Sequence, residues 1–227
     1  MALTSAEDCI QAVLFDLDGT LVDTAPDLAN ALNHVLNQEN QNSLPYPTIR
    51  PMVSNGANGL LKLAFGDALS VEKHEQLKAD LISFYKQNIA VESALFDGMA
   101  DILKELEERE ISWGIVTNKP KHLTGPLLES LNLDKRAHCV VSGDEVARSK
   151  PHPESIYLAC QLLQVPATKS VYIGDAERDI IAGQRAGCRT VACEFGYIPT
   201  TDNINTWGAD EIVATPVKLK LSLEQMI

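Results

Sequence analysis

The sequence is short of positive charge: 19 Lys and Arg stand against 31 Asp and Glu in 227 residues, a formal net charge of −12. Nucleic-acid binding draws its affinity from clustered Lys and Arg that neutralise phosphates, so this deficit argues against a DNA or RNA surface. It leaves room for a small phosphorylated metabolite, which needs only a local positive site. No stretch approaches the ~18–20 consecutive apolar residues of a membrane-crossing helix, so no membrane partner is expected. Residues 1–11 lack a basic segment followed by an apolar one, so no secretory leader is expected either. The five cysteines, Cys9, Cys139, Cys160, Cys188 and Cys193, include no CxxC pair and are odd in number. Scattered thiols of this kind suit buried positions in a reducing compartment, and a cytoplasmic globular protein is the expectation. Internal repeats and low-complexity tracts are also missing. Apolar residues make up 45% of the chain, enough for a proper core.

What is present is a rhythm. Ala12-Val13-Leu14-Phe15, Trp113 to Val116, Cys139 to Val141, Ser170 to Ile173 and Thr190 to Cys193 read as strands. Between them lie stretches at helical spacing, such as Met99, Ile102, Leu103 and Leu106, or Ile156, Ala159, Cys160 and Leu163. Strands alternating with helices imply right-handed crossovers and an α/β fold, a doubly wound parallel sheet covered on both faces. Residues from about Thr24 to Ala90 break that rhythm. Thr24 suits a helix cap, Pro26 its first turn, and Asp27 the positive end of its dipole. Leu28, Leu32, Val35 and Leu36 then form one stripe, a joint marked by Pro45, Pro47 and Pro51 follows, and helices are expected at residues 60–65 and through Leu77, Leu81, Phe84 and Tyr85. The expected organisation is a core of residues 1–22 and 91–227, with residues 23–90 inserted as a helical cap.

Three of the strands run into reactive groups: Phe15 into Asp16-Leu17-Asp18-Gly19-Thr20, Val116 into Thr117-Asn118-Lys119-Pro120, and Ile173 into Gly174-Asp175 with Asp179 beyond. Open α/β sheets bind ligands beyond the carboxyl ends of their strands, so these endings converge on one edge, joined by Lys150. Asp16, Asp18, Asp175 and Asp179 cannot all be ionised side by side without a cation. Oxygen-only ligands suit a hard one such as Mg²⁺. Even with Lys150 and a divalent ion the balance stays negative, which favours one carboxylate holding a proton as a general acid.

Asp16-Leu17-Asp18-Gly19-Thr20 resembles the first motif of the haloacid dehalogenase (HAD) superfamily phosphatases, and the other three follow in order: Thr117, then Lys150 in Ser149-Lys150-Pro151, then Gly174-Asp175 with Asp179. The resemblance covers the whole core and implies a HAD-like Rossmannoid sheet. It implies that Asp16 is a nucleophile forming an aspartyl-phosphate and that Asp18 is the acid and then the base. Thr117, the Asn118 amide and Lys150 would hold the phosphoryl oxygens. Asp16, the Asp18 carbonyl and Asp175 would bind Mg²⁺, with Asp179 as an inner or outer carboxylate. Val116 to Pro120 and Ser149 to Pro153 resemble the phosphoglycolate phosphatase branch. Within it, Trp113 to Pro120, Gly196-Tyr197-Ile198 and the segment from Asp202 to Asp210 are most similar to bacterial phosphatases of N-acetylmuramic acid 6-phosphate. Two positions depart from the common pattern: His152 stands where Asp is frequent, and Ala176 follows Asp175 where a hydrogen-bonding residue is usual.

The remaining candidates have plainer readings beside them. Asn55 and Gly56, in Asn55-Gly56-Ala57-Asn58-Gly59, form either a turn before a helix or a cap surface facing the organic part of a substrate. Arg50, Arg178 and Asn203 are weaker specificity candidates, His152 reads as loop scaffold, Trp207 as packing, and the acidic helix from Asp101 to Glu110 as a solvated face. The sequence thus points to a Mg²⁺-dependent phosphomonoester hydrolase, with N-acetylmuramic acid 6-phosphate preferred over 2-phosphoglycolate. A phosphosugar mutase of the β-phosphoglucomutase type shares the core motifs, and a non-catalytic binding module would keep the scaffold without needing Asp16 and Asp18. Nothing in the sequence addresses oligomeric state.

Overall fold

A computed structural model describes residues 9–227. Its first strand, β1 (Ala12–Phe15), is buried along its whole length and pairs in parallel with a neighbour on each side, which puts it inside the sheet. A two-residue strand β2 (Val22–Asp23) leads into helices α1 (Ala25–Gln38) and α2 (Tyr46–Ile49), a 3-10 turn at Arg50–Asn55, and helices α3 (Gly56–Phe65) and α4 (Val71–Gln87). Strand β3 (Ala94–Leu95) returns antiparallel to β2, so the helical insert leaves and re-enters through one short ribbon. There follow α5 (Met99–Glu108), β4 (Ser112–Val116), α6 (Lys121–Ser130), β5 (Cys139–Val141), α7 (Glu154–Leu163), β6 (Ser170–Gly174), α8 (Glu177–Ala186), β7 (Arg189–Cys193), β8 (Glu211–Val213) and α9 (Pro216–Met226).

The main sheet has six strands, all parallel, in the order β5-β4-β1-β6-β7-β8. Side chains alternate across it with a period of two. Val13 and Phe15 face one way, into a core closed by α5, α6 and α9; Leu14 faces the other, into one closed by α7 and α8. This is the doubly wound α/β architecture. The five expected strands are all present, and β8 is an addition: Glu211-Ile212-Val213 is too short a run to stand out by pattern alone.

The helices of the insert bury their own stripe, Leu28, Leu32, Val35 and Leu36 of α1 against Leu60, Leu61, Leu77, Leu81 and Tyr85, and draw in Leu123 and Tyr197 from the sheet side. One local expectation for α1 needs correction. Thr24 stands at the cap position, but its side chain does not cap the helix; its hydroxyl donates to Asp18 Oδ1 at 2.6 Å. Asp27 lies in the first turn of α1, as expected, and has further partners. Its buried carboxylate accepts from the Glu92 and Ser93 backbone N–H groups and from the Ser93 hydroxyl, tying α1 to the returning chain. Thr24 thus ties the helix start to Asp18, and Asp27 ties it to the chain that returns from the insert.

Candidate active site

Because the strands are parallel, β1, β4 and β6 end on one edge, and Asp16, Thr117 and Asp175 stand there as the first residues beyond the apolar stretches. All three are buried, as are Lys150 and Asp179. Asp16, Asp175 and Asp179 bring carboxylate oxygens within 4.8 Å of one another. Asp175 is wedged tightly: a Cβ at Gly19, whose φ is +89°, would overlap its carboxylate. It accepts from Tyr197 N–H at 2.7 Å, the Ser54 hydroxyl at 3.1 Å and the Thr20 hydroxyl at 3.3 Å. Asp179 sits in the first turn of α8, where its Oδ2 accepts from Ala176 N–H at 3.0 Å.

Lys150 is the counter-ion at the floor. Its ammonium donates to Asp16 Oδ1 at 2.8 Å, to the Val116 carbonyl at 3.0 Å and to the Tyr172 hydroxyl at 2.7 Å. An ammonium has three protons, and these partners use them. Asp179 Oδ1 also lies 2.8 Å from Lys150 Nζ, yet it is a buried acceptor with no hydrogen bond among the described residues. The balance is visible in the acidities. Burial pushes the Asp16 carboxyl up to about 6 against the pull of Lys150, and burial together with Asp16 and Asp179 pushes Asp175 up to about 7. Three buried carboxylates, opposed by one lysine charge and including an Asp179 oxygen with no hydrogen bond among the described residues, form an oxygen donor set that fits a hard divalent cation.

Asp18 stands apart from that cluster. Its Oδ1 takes the Thr24 hydroxyl and, at 2.8 Å, the ammonium of Lys119, while its other oxygen has no hydrogen bond among the described residues. The carboxylate of Asp18 is therefore not part of the acidic cluster. The Lys119 side chain is only 7% exposed and its ammonium lies over the Tyr85 ring of α4, 4.6 Å from its centroid. Burial alone would lower its pKa, but Asp18 and Tyr85 more than reverse this, so the pKa is raised and the ammonium stays charged. Lys119 had no role in the sequence reading, although it follows Thr117 and Asn118 on the same strand-end loop, where the convergence of endings could have picked it out.

A cavity of about 460 Å³ opens above these groups. Asp16, Asp18, Thr117, Asn118, Lys119, Lys150 and Arg178 form its floor and sides; Asn55, Gly56 and Asn58 of the insert face it, together with Leu81, Ile82 and Tyr85. Asn118 does a further job, exchanging two hydrogen bonds with the Lys150 backbone and so fixing the lysine loop. Ser54 and Tyr197, neither singled out from the sequence for chemistry, hold Asp175 in place. Arg178 donates to the Ser54 carbonyl, and Arg50 to the Phe195 and Gly196 carbonyls, so both arginines fasten the insert to the sheet side. His152 pairs locally with Glu154, Asn203 caps a 3-10 turn, and Trp207 is buried against Ile180, Ala192 and Ile204; none of the three lines the cavity.

Residues 13–193 match the family model described as haloacid dehalogenase-like hydrolase. The chain belongs to that family. It is 37% identical to the N-acetylmuramic acid 6-phosphate phosphatase of Pseudomonas putida, over 96% of this chain and 98% of that one. It is 38% identical to the phosphoglycolate phosphatase of Xanthomonas campestris pv. campestris, over 92% and 94% respectively. A crystal structure from Haemophilus somnus, described as a predicted phosphoglycolate phosphatase, superposes with a TM-score of 0.83 at 27% identity, covering 94% of this chain and 98% of that one. Among the described residues no helix is long and apolar enough to cross a membrane.

Proposed function

We propose that this protein hydrolyses a small phosphomonoester through a phosphoryl group carried transiently on Asp16. The observation that carries the reading is the division of labour between two carboxylates two residues apart. Asp16 lies against Lys150 and the acidic cluster, while Asp18 is turned to Lys119 and Thr24 with one oxygen left for the ligand. Opposed environments for neighbouring acids are how one site runs nucleophilic and acid–base chemistry together.

In the first step an Asp16 oxygen attacks phosphorus, the bond from phosphorus to the leaving oxygen breaks, and Asp18 gives that oxygen its proton. In the second, Asp18 takes a proton from water as the water oxygen attacks phosphorus; the bond to Asp16 breaks, and inorganic phosphate leaves. Thr117, the Asn118 amide and Lys150 stabilise the phosphoryl oxygens, where charge gathers in the transition state. Asp16, Asp175 and Asp179, with the Asp18 carbonyl, would hold Mg²⁺, which when bound neutralises charge on the phosphoryl group and its surroundings. Residues 23–90 act as a cap that admits substrate and then excludes bulk water, in a cytoplasmic setting.

Of the two activities named for its relatives, hydrolysis of N-acetylmuramic acid 6-phosphate is preferred. The cavity of about 460 Å³, walled by Leu81, Ile82 and Val53, suits a sugar better than a two-carbon acid. The test is phosphate release with Mg²⁺ from both compounds and from hexose phosphates. The expected result is the highest kcat/KM on the muramic acid ester and loss of turnover in EDTA. A higher kcat/KM on 2-phosphoglycolate would reverse the preference, and isomer interconversion without phosphate release would replace hydrolysis with a mutase reaction.

A further inference from the structure

We propose that Lys78 selects the substrate by pairing with a carboxylate that the leaving group carries on the side remote from its phosphate. The inference rests on the phosphatase reading of the cavity and goes beyond it by stating what else the substrate must bear.

Among the described residues, four cations line the cavity: Lys78, Lys119, Lys150 and Arg178. Three stand at the acidic end. Lys119 is paired with Asp18 and Lys150 with Asp16, and Arg178, which donates to the Ser54 carbonyl, has its charge offset by the nearby Asp179, Asp16 and Asp175. Lys78 differs. Among the described residues its one ion-pair contact is Glu75 at 3.8 Å, a distance at which little is gained, and Glu75 is itself 63% exposed. Lys78 is half-buried on the cavity wall with its charge unspent. In a chain of net charge −12, a doubly anionic ligand needs such a group at each end.

Helix geometry says where it stands. Lys78, Leu81, Ile82 and Tyr85 are spaced three, four and seven residues apart, so α4 turns one face to the cavity. Tyr85 packs under Lys119, which holds Asp18, and so marks the level of the chemistry. Seven residues at the helical rise put Lys78 roughly 10 Å farther along the wall. Leu81 and Ile82 lie between, an apolar strip for the face of a ring. A two-carbon phosphoacid keeps its carboxylate beside its phosphate and cannot serve both ends. A sugar 6-phosphate with an acidic ether across the ring can.

The decisive comparison uses N-acetylmuramic acid 6-phosphate and N-acetylglucosamine 6-phosphate, which differ only in the lactyl acid. The wild type is expected to favour the first by about fivefold or more in kcat/KM, chiefly through KM. Lys78→Met should bring that ratio to near one, and Lys78→Arg should restore most of it. A wild type without the preference, or Lys78→Met that keeps it, overturns the proposal. Calorimetric titration of both sugars into Asp16→Asn, with and without Lys78→Met, reads the same ratio without turnover. If the wild type releases no phosphate but Asp16→Asn binds the acidic sugar more tightly through Lys78, the hydrolysis reading falls and the Lys78 assignment stands. If neither sugar binds, both fall.

Discussion

Asp16 and Asp18 owe their different parts to what surrounds each of them, and the nearest tests are single substitutions. Asp16→Asn removes the proposed nucleophile and should cut kcat by roughly 10³-fold or more, read by phosphate release. Lys119→Met takes away the cation that holds Asp18 and should lower kcat by about tenfold or more, with a smaller change in KM. Sequence alone pointed to Asp16, Asp18, Thr117, Lys150, Asp175 and Asp179 because each stands where an apolar strand stops or where a motif repeats a known spacing. It did not reveal the parts of Lys119, Ser54, Tyr85 or Tyr197: Lys119 stands at a strand ending that could have marked it, Tyr197 reaches Asp175 from a distant loop, and Ser54 and Tyr85 depend on how the insert meets the sheet edge. Titration belongs to this scale too. In the metal-free protein the carboxyls of Asp16 and Asp175 are raised from 3.8 to about 6 and about 7, so the folded state holds these protons more tightly than the unfolded state. Their contribution to stability is complete below 3.8 and is lost as pH rises through those two values. Thermal melting of metal-free protein should fall across that window, and added Mg²⁺ should recover more stability above it than below; equal recovery would argue against the acidic cluster as the metal site.

At the scale of elements, the sheet was legible because its strands are short, apolar and bounded by polar endings, while β8 and the β2–β3 ribbon were not, because two or three residues carry no period. The ribbon matters more than its length suggests. Tyr197, from the loop after β7, accepts the Thr24 and Ala25 backbone N–H groups on its hydroxyl at 2.7 and 2.9 Å and donates to Asp23 at 2.6 Å. Its own N–H holds Asp175. One residue thus joins the acidic cluster to the root of the insert. Tyr197→Phe leaves the ring and the backbone but strips the Thr24 N–H of its acceptor and leaves the Ala25 N–H only Asp23 Oδ1 at 3.3 Å, and should cost about 1–3 kcal/mol in chemical denaturation. Leu14→Ala, inside the central strand, should cost about 2–5 kcal/mol by leaving a cavity between β1 and the α7–α8 layer. A smaller loss at Leu14 than at Tyr197 would mean that the sheet is less tightly packed than its burial indicates.

For the molecule as a whole, two bodies of structure meet over one cavity: a parallel sheet that gathers acids at its edge, and a helical insert that walls them in and is fastened by Arg50 and Arg178. On the proposed function, the sheet edge supplies chemistry that any phosphate ester can use, whereas the insert selects which ester is bound. The most direct test of the central claim is rapid quenching of the enzyme during turnover, followed by mass spectrometry of the peptide that contains residue 16. A transient phosphoryl adduct on Asp16, absent from Asp16→Asn and formed no more slowly than phosphate is released, is the predicted result. Steady phosphate release with that peptide unmodified at every quench time, and with Asp16→Asn still active, would contradict the account.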